Sequence, residues 1–129
     1  MIYSQEYDRL NYDPAAPVVE ITITHSSISS LSHNLVALID SGADATMLPI
    51  DVLKSIKAKF IESRGMRGIT GHAIKVDTYL LTMKIGPFSI HGIEAVALER
   101  DSEAIIGRDT LNQLQVILDG LSNTVTISQ

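Results

Sequence analysis

The chain has 129 residues, one domain's worth and enough to bury a core without covalent staples. It holds no cysteine, which excludes a disulfide framework, a thiolate zinc site and a cysteine nucleophile, and fits a reducing cytosol; a cytoplasmic location is therefore expected. Net charge is −5 with no cluster of Lys and Arg, so nucleic acid is not an expected partner. No apolar run approaches the length of a bilayer-spanning helix, and no basic-then-apolar signal pattern opens the chain, so a membrane is not an expected partner either.

In chain order, residues 1–16 read as an N-terminal leader, an arm or an extra strand, closed by Pro14 and Pro17. Residues 17–129 read as the folded domain. Val19, Ile21 and Ile23 alternate with Glu20, Thr22 and Thr24, which predicts a half-buried strand. The serine-rich stretch His25 to Asn34 reads as a loop, and the apolar run Leu35 to Asp40 as a buried strand. Pro49 to Phe60 predicts a short helix, with Val52, Ile56 and Phe60 on one face. Arg64 to His72 is rich in glycine, and Ala73 to Ile85 reads as a long strand. Gly86-Pro87 turns the chain into two short strands, Phe88 to Ile90 and Gly92 to Leu98. Ala104 to Ile106 reads as a brief buried strand stopped by Gly107. Asp109 to Leu114 then predicts a short helix, with Asp109 or Arg108 near its N-cap. Leu114 to Leu118 and Thr124 to Ser128 close the chain as a hairpin. Many short strands at regular spacing, interrupted by one or two short helices, predict a closed or nearly closed all-β unit without internal repeats.

The most informative stretch is Leu38-Ile39-Asp40-Ser41-Gly42-Ala43-Asp44. A strand that delivers a carboxylate into a small-residue turn incurs a desolvation cost unless the carboxylate has a task. The ordinary reading is a turn aspartate. Other chemistries fit poorly. A calcium loop would need an oxygen ligand and a glycine where Gly42 and Ala45 stand, and Asp51 where a glutamate is usual. Ser41 lacks the glycine-flanked elbow of a nucleophilic serine. The Gly68 to Gly71 loop lacks the Lys-Ser/Thr ending of a phosphate loop. His25, His33, His72 and His91 show no paired ligand spacing, so neither a metal site nor a cofactor is expected.

Three segments in this order resemble the retropepsin-like aspartic proteases, the single-domain retroviral type and its cellular and bacterial branch. They are Leu38 to Asp44, Gly68-Ile69-Thr70-Gly71 with the return strand Ile74-Lys75-Val76, and Ala104-Ile105-Ile106-Gly107-Arg108-Asp109. The resemblance covers roughly residues 17 to 128. The leader has no counterpart in it, and the last hairpin is longer than the retroviral tail. It implies the closed acid-protease barrel of a single lobe and a homodimeric aspartic endopeptidase acting on peptide or protein substrates.

What the resemblance implies for single residues follows the motifs. Asp40 is the catalytic carboxylate, paired with Asp40 of a second copy. Two carboxylates about 3 Å apart cannot both ionise and so share a proton, for which aspartic proteases are themselves the standard illustration. Ser41, Gly42 and Ala43 form the active-site turn. Asp44 meets substrate backbone and pairs with Arg108, or serves only as a structural ion pair with it. Gly68, Ile69, Thr70 and Gly71 form the tip of a flap over the substrate. Gly107 and Arg108 give structural support. Two rival readings keep the fold: a catalytically silent dimerisation or peptide-binding module, and a pepsin-like half that pairs with a different chain.

Overall fold

A computed structural model describes residues 1–67 and 71–129. The alternating segment forms strand β2 (Val18–Thr24), after a leader strand β1 (Ile2–Glu6). β2 buries Val19, Ile21 and Ile23 and pairs antiparallel with β3 (Ser32–Ile39). β3 begins earlier than expected, because a backbone ladder is indifferent to polar side chains on its solvent face. There Thr22 donates to Asn34 Oδ1 across the pair at 2.7 Å.

β4 (Met47–Pro49) leads into helix α1 (Ile50–Ser55), which is shorter than its pattern implied. The chain reverses at Lys57, whose φ is +52°. Phe60 then belongs to β5 (Lys59–Arg67), where it meets Tyr79 edge to face with ring centroids 5.7 Å apart. Cross-strand pairing therefore prevails over helical spacing at this position, and only Val52 and Ile56 of the expected face are buried.

β6 (Ala73–Ile85) has the expected bounds, whereas the next two expected strands form one, β7 (Phe88–Leu98). Between the pairs Leu81–Ile93 and Met83–Ile90 the β7 strand takes one more residue than β6. Gly92, with φ +74°, absorbs that bulge, so the strand bends without ending. β8 (Ile105–Ile106), α2 (Arg108–Leu111), β9 (Gln115–Asp119) and β10 (Thr124–Ser128) complete the chain.

The strands form two sheets. One has the order β2-β3-β8-β4-β7-β6-β5, and β2 also pairs with β6, so six of its strands close into a ring with β5 outside on β6. The other has the order β1-β10-β9, which places the leader strand in the sheet of the C-terminal hairpin. The molecule is thus an all-β closed barrel with two short helices. Its core includes Val19, Ile21, Ile23, Leu48, Leu53, Leu81, Met83, Ile90 and Ile106, and Val125 and Ile127 carry it under the second sheet. No helix among the described residues is long and apolar enough to cross a membrane.

Candidate active site

Two chain segments enter the site side by side. β3 and β8 run parallel, with Leu38 opposite Ile105 and Ile39 opposite Ile106. Each ends at the same level, one in Asp40 and the other in Gly107. The Asp40 amide donates to the Ile106 carbonyl at 3.0 Å, so the last rung of the ladder fixes the backbone of Asp40.

Beyond that rung the chain turns. The Ala43 amide donates to the Asp40 carbonyl at 3.1 Å, and the Gly42 amide donates to Asp40 Oδ1 at 2.9 Å. The second bond holds the carboxylate against its own turn, as an Asx turn does. A Cβ on Gly42 would stand 3.1 Å from Asp40 Oδ1, so a side chain there would crowd the carboxylate. Asp40 is half-buried, and Ser41 and Gly42 are exposed.

Arg108 braces the turn from the β8 side. Its amide donates to the Ala43 carbonyl at 2.9 Å, its Nη1 donates to the Ser41 carbonyl at 2.7 Å, and its Nη2 forms an ion pair with Asp44. One planar guanidinium satisfies two turn positions because its donors lie in a rigid fork. The Asp44 side chain is 82% exposed, so this ion pair lies at the surface of the single chain. Gly107 is buried against the same turn. A Cβ there would come within 2.5 Å of both the carbonyl carbon and oxygen of Ala45.

Below the turn lies a buried polar knot. Thr46 Oγ1 donates to Asp109 Oδ1 at 2.8 Å, and the Thr46 amide donates to the same carboxylate at 3.0 Å. The Thr110 amide donates to Asp109 Oδ1 at 2.8 Å, and the Thr110 hydroxyl is 3.0 Å from that of Thr46. Thr46 and Thr110 are fully buried. The helix α2 has Gly107 as its N-cap residue and no side-chain cap, so Arg108 and Asp109 stand next to the cap as its first two residues. The Asp109 carboxylate instead reaches across to the first turn. Thr46 was missed by reading the sequence, although a threonine inside the run Ala45-Thr46-Met47-Leu48 marks a buried hydroxyl in need of a partner.

Beside the turn is a cavity of about 380 Å³ lined by Asp44, Ala45, Arg64, Ile93, Glu94 and Asp109, among others. The β5–β6 hairpin extends from the barrel as far as the pair Arg67–Ala73. Most of its outer residues are exposed, including Ile74. Gly71 has φ +81°, a conformation that favours glycine. Gly68, Ile69 and Thr70, expected at the tip, lie outside the described residues. Of the histidines, His25 Nδ1 accepts the amides of Ser27 and Ile28 at 3.0 Å each, and His91 Nδ1 lies 3.3 Å from the Thr82 hydroxyl.

A closed barrel whose Asp-Ser-Gly turn is interlocked with a Gly-Arg-Asp segment defines the retropepsin-like aspartic protease class. Comparison with solved structures agrees on the fold. The chain superposes on a retropepsin-like aspartic protease from Rickettsia conorii with a TM-score of 0.64 at 12% identity, covering 98% of this chain and 91% of that one. It superposes on the EIAV protease, solved in complex with the inhibitor HBY-793, with a TM-score of 0.59 at 20% identity, covering 82% of this chain and 91% of that one. No curated protein matches the sequence. The profile described as aspartyl protease matches residues 21–110, and the chain belongs to that family.

Proposed function

We propose that this protein is a homodimeric aspartic endopeptidase in which the Asp40 carboxylates of two copies form one catalytic dyad. The observation that carries the reading is the placement of Asp40. It stands at the head of a small-residue turn whose backbone is held by Ile106, Arg108 and the Thr46–Asp109 knot. So much bracing around one carboxylate is what a reaction needing a positioned acid and base requires. Each chain holds one Asp-Ser-Gly segment, so a dyad needs two chains, and an isologous contact brings equal positions together.

In the reaction, the ionised member of the dyad takes a proton from a water, whose oxygen attacks the peptide carbonyl. The protonated member donates its proton to the carbonyl oxygen. A proton then passes to the leaving amine as the C–N bond breaks. The two carboxylates titrate as a unit, so catalysis is confined between the two macroscopic pKa values of the pair. The substrate lies extended between the Asp40 turns and the β5–β6 hairpins, pairing as an added strand. Gly68 to Gly71 serve as the closing tip, with Ile69 as its apolar contact. Asp44 meets substrate backbone while it pairs with Arg108.

The test is incubation of an unfolded protein with the wild type and with Asp40→Asn at several pH values from acidic to neutral. The wild type cleaves with a bell-shaped dependence on pH, and the variant folds and does not cleave. Full activity in the variant places the chemistry on another residue. A well-formed wild-type dimer that cleaves at no pH moves the assignment to a silent peptide-binding module.

A further inference from the structure

Residues 8–16 form a loop closed on itself. The Asp8 amide donates to the Ala16 carbonyl at 2.9 Å, and the Ala16 amide donates to the Asp8 carbonyl at 3.1 Å. Inside it, Asp8 Oδ1 accepts the amides of Leu10 and Asn11 at 2.9 and 3.0 Å, and Asp8 Oδ2 accepts Asn11 Nδ2 at 2.8 Å. These bonds stiffen the loop from within.

The loop's two anchors fall on either side of the catalytic strand. On the β2 side, the Ile39 amide donates to the Pro17 carbonyl at 3.0 Å, and one residue further on stand Asp40 and Ala16. On the β8 side, the Tyr12 hydroxyl donates to Glu103 Oε2. Glu103 adjoins Ala104, whose carbonyl accepts the Leu38 amide at 2.9 Å. The bond to Glu103, assisted by partial burial, pushes the Tyr12 phenol up to about 12, so Tyr12 remains a donor at any working pH. Between Asp8, which pairs with Ala16, and Tyr12, Leu10 is 96% exposed. A large apolar side chain is held there on a rigid loop and packs against nothing in its own chain.

We infer that the 8–16 loop is a wall of the peptide cleft, in which Leu10 contacts a large apolar substrate side chain beside the scissile bond and the Tyr12–Glu103 bond positions the wall. The inference rests on the protease reading of the Asp40 site. It makes the leader a specificity element of the enzyme. Leu10 is the contact residue, and Tyr12 and Glu103 are positioning residues that act through it.

The experiment uses the full chain and a set of peptides that differ only in having Leu or Ala beside the cleaved bond. Leu10→Ala is expected to lower kcat/KM about fivefold to tenfold for the Leu peptides and less than twofold for the Ala peptides, with the loss falling on KM. Tyr12→Phe and Glu103→Ala are expected to show the same selective loss, and their combination no more than either alone. Glu103→Gln keeps an acceptor and is expected to keep the selectivity. Equal losses on both peptide sets, or no loss, overturn the inference and leave the protease reading intact. If the wild type binds labelled peptides without cleaving them, the same comparison is made on Kd, which tests the wall while the reaction itself is refuted. A chain that neither cleaves nor binds them overturns both.

Discussion

The Thr46 hydroxyl and the Asp109 carboxylate, 63 residues apart in sequence, meet at 2.8 Å beneath the Asp40 turn. The Thr46 amide joins the same carboxylate, so the end of the Asp40 segment is tied to the start of α2 by both backbone and side chain. With Thr46 fully buried and Asp109 half-buried, such bonds are directional and leave few alternative arrangements.

Thr46→Val removes the hydroxyl at nearly constant volume and leaves Asp109 short of a donor. Stability is expected to fall by about 1.5–3 kcal/mol, the range for bonds to a charged group. Thermal melting should show a midpoint lower by roughly 5–15 °C. A change within experimental error would show that the carboxylate finds water instead.

Gly107→Ala is expected to be the more damaging of the small substitutions. Its Cβ would meet the Ala45 carbonyl at 2.5 Å, and backbone cannot swing aside as a side chain can. A loss of about 3 kcal/mol or more follows from overpacking of this kind. Gly120→Ala is the control, since nothing lies within 4 Å of a Cβ there. Equal melting curves for the two variants would contradict the packing argument.

Arg108→Ala should cost more than Asp44→Asn. The Asp44 side chain is 82% exposed, and exposed ion pairs contribute little, so Asp44→Asn is expected to cost less than about 0.5 kcal/mol. Arg108→Ala also loses the bond to the Ser41 carbonyl, and about 1–2 kcal/mol is expected. Arg108→Lys should not restore the wild type, because one ammonium does not reproduce the fork. Urea unfolding of the three variants ranks them directly.

Two surface turns set a pH dependence. The Ser122 amide and hydroxyl, with the Leu121 amide, hold the Asp119 carboxyl below its ordinary 3.8. The Asn11 side chain, then its amide, does the same for Asp8. A folded-state value below the unfolded one means that the turns are supported above 3.8 and lose that support as pH falls through the lowered values. Carboxyl titration by NMR should place both residues below 3.8, with amide exchange at Leu121 and Ser122 accelerating in the same acid range. Titration of Asp119 at or above 3.8 would remove this account.

In the proposed function the dyad forms only in a dimer, which predicts proteolysis that rises with the square of protein concentration at low concentration and then becomes linear. Sedimentation should show a dimer over the active range. Retained activity in a species that sediments only as a monomer would exclude the shared site.

The closed all-β class was legible in the sequence because strand alternation and glycine turns are local signals. Val19, Ile21 and Ile23 report their own burial through a period of two. The Asp40 turn was legible for a similar reason, since its small residues are contiguous. The boundaries that went astray were decided elsewhere in the molecule. Phe60 follows a helical spacing, yet its cross-strand partner Tyr79 claims it for β5. Gly92 looks like a break, yet the pairing of β7 with β6 absorbs it as a bulge. Asp109 stands near the start of α2 as its position in the sequence indicates, but no local signal reveals that its carboxylate bonds Thr46. Sequence alone thus determined most of the strands, though not β4 or β5, and which carboxylate stands in a small-residue turn. The tertiary structure decided which residues brace that turn and where the leader runs, because hydrogen bonds between distant segments exist only after the barrel has closed.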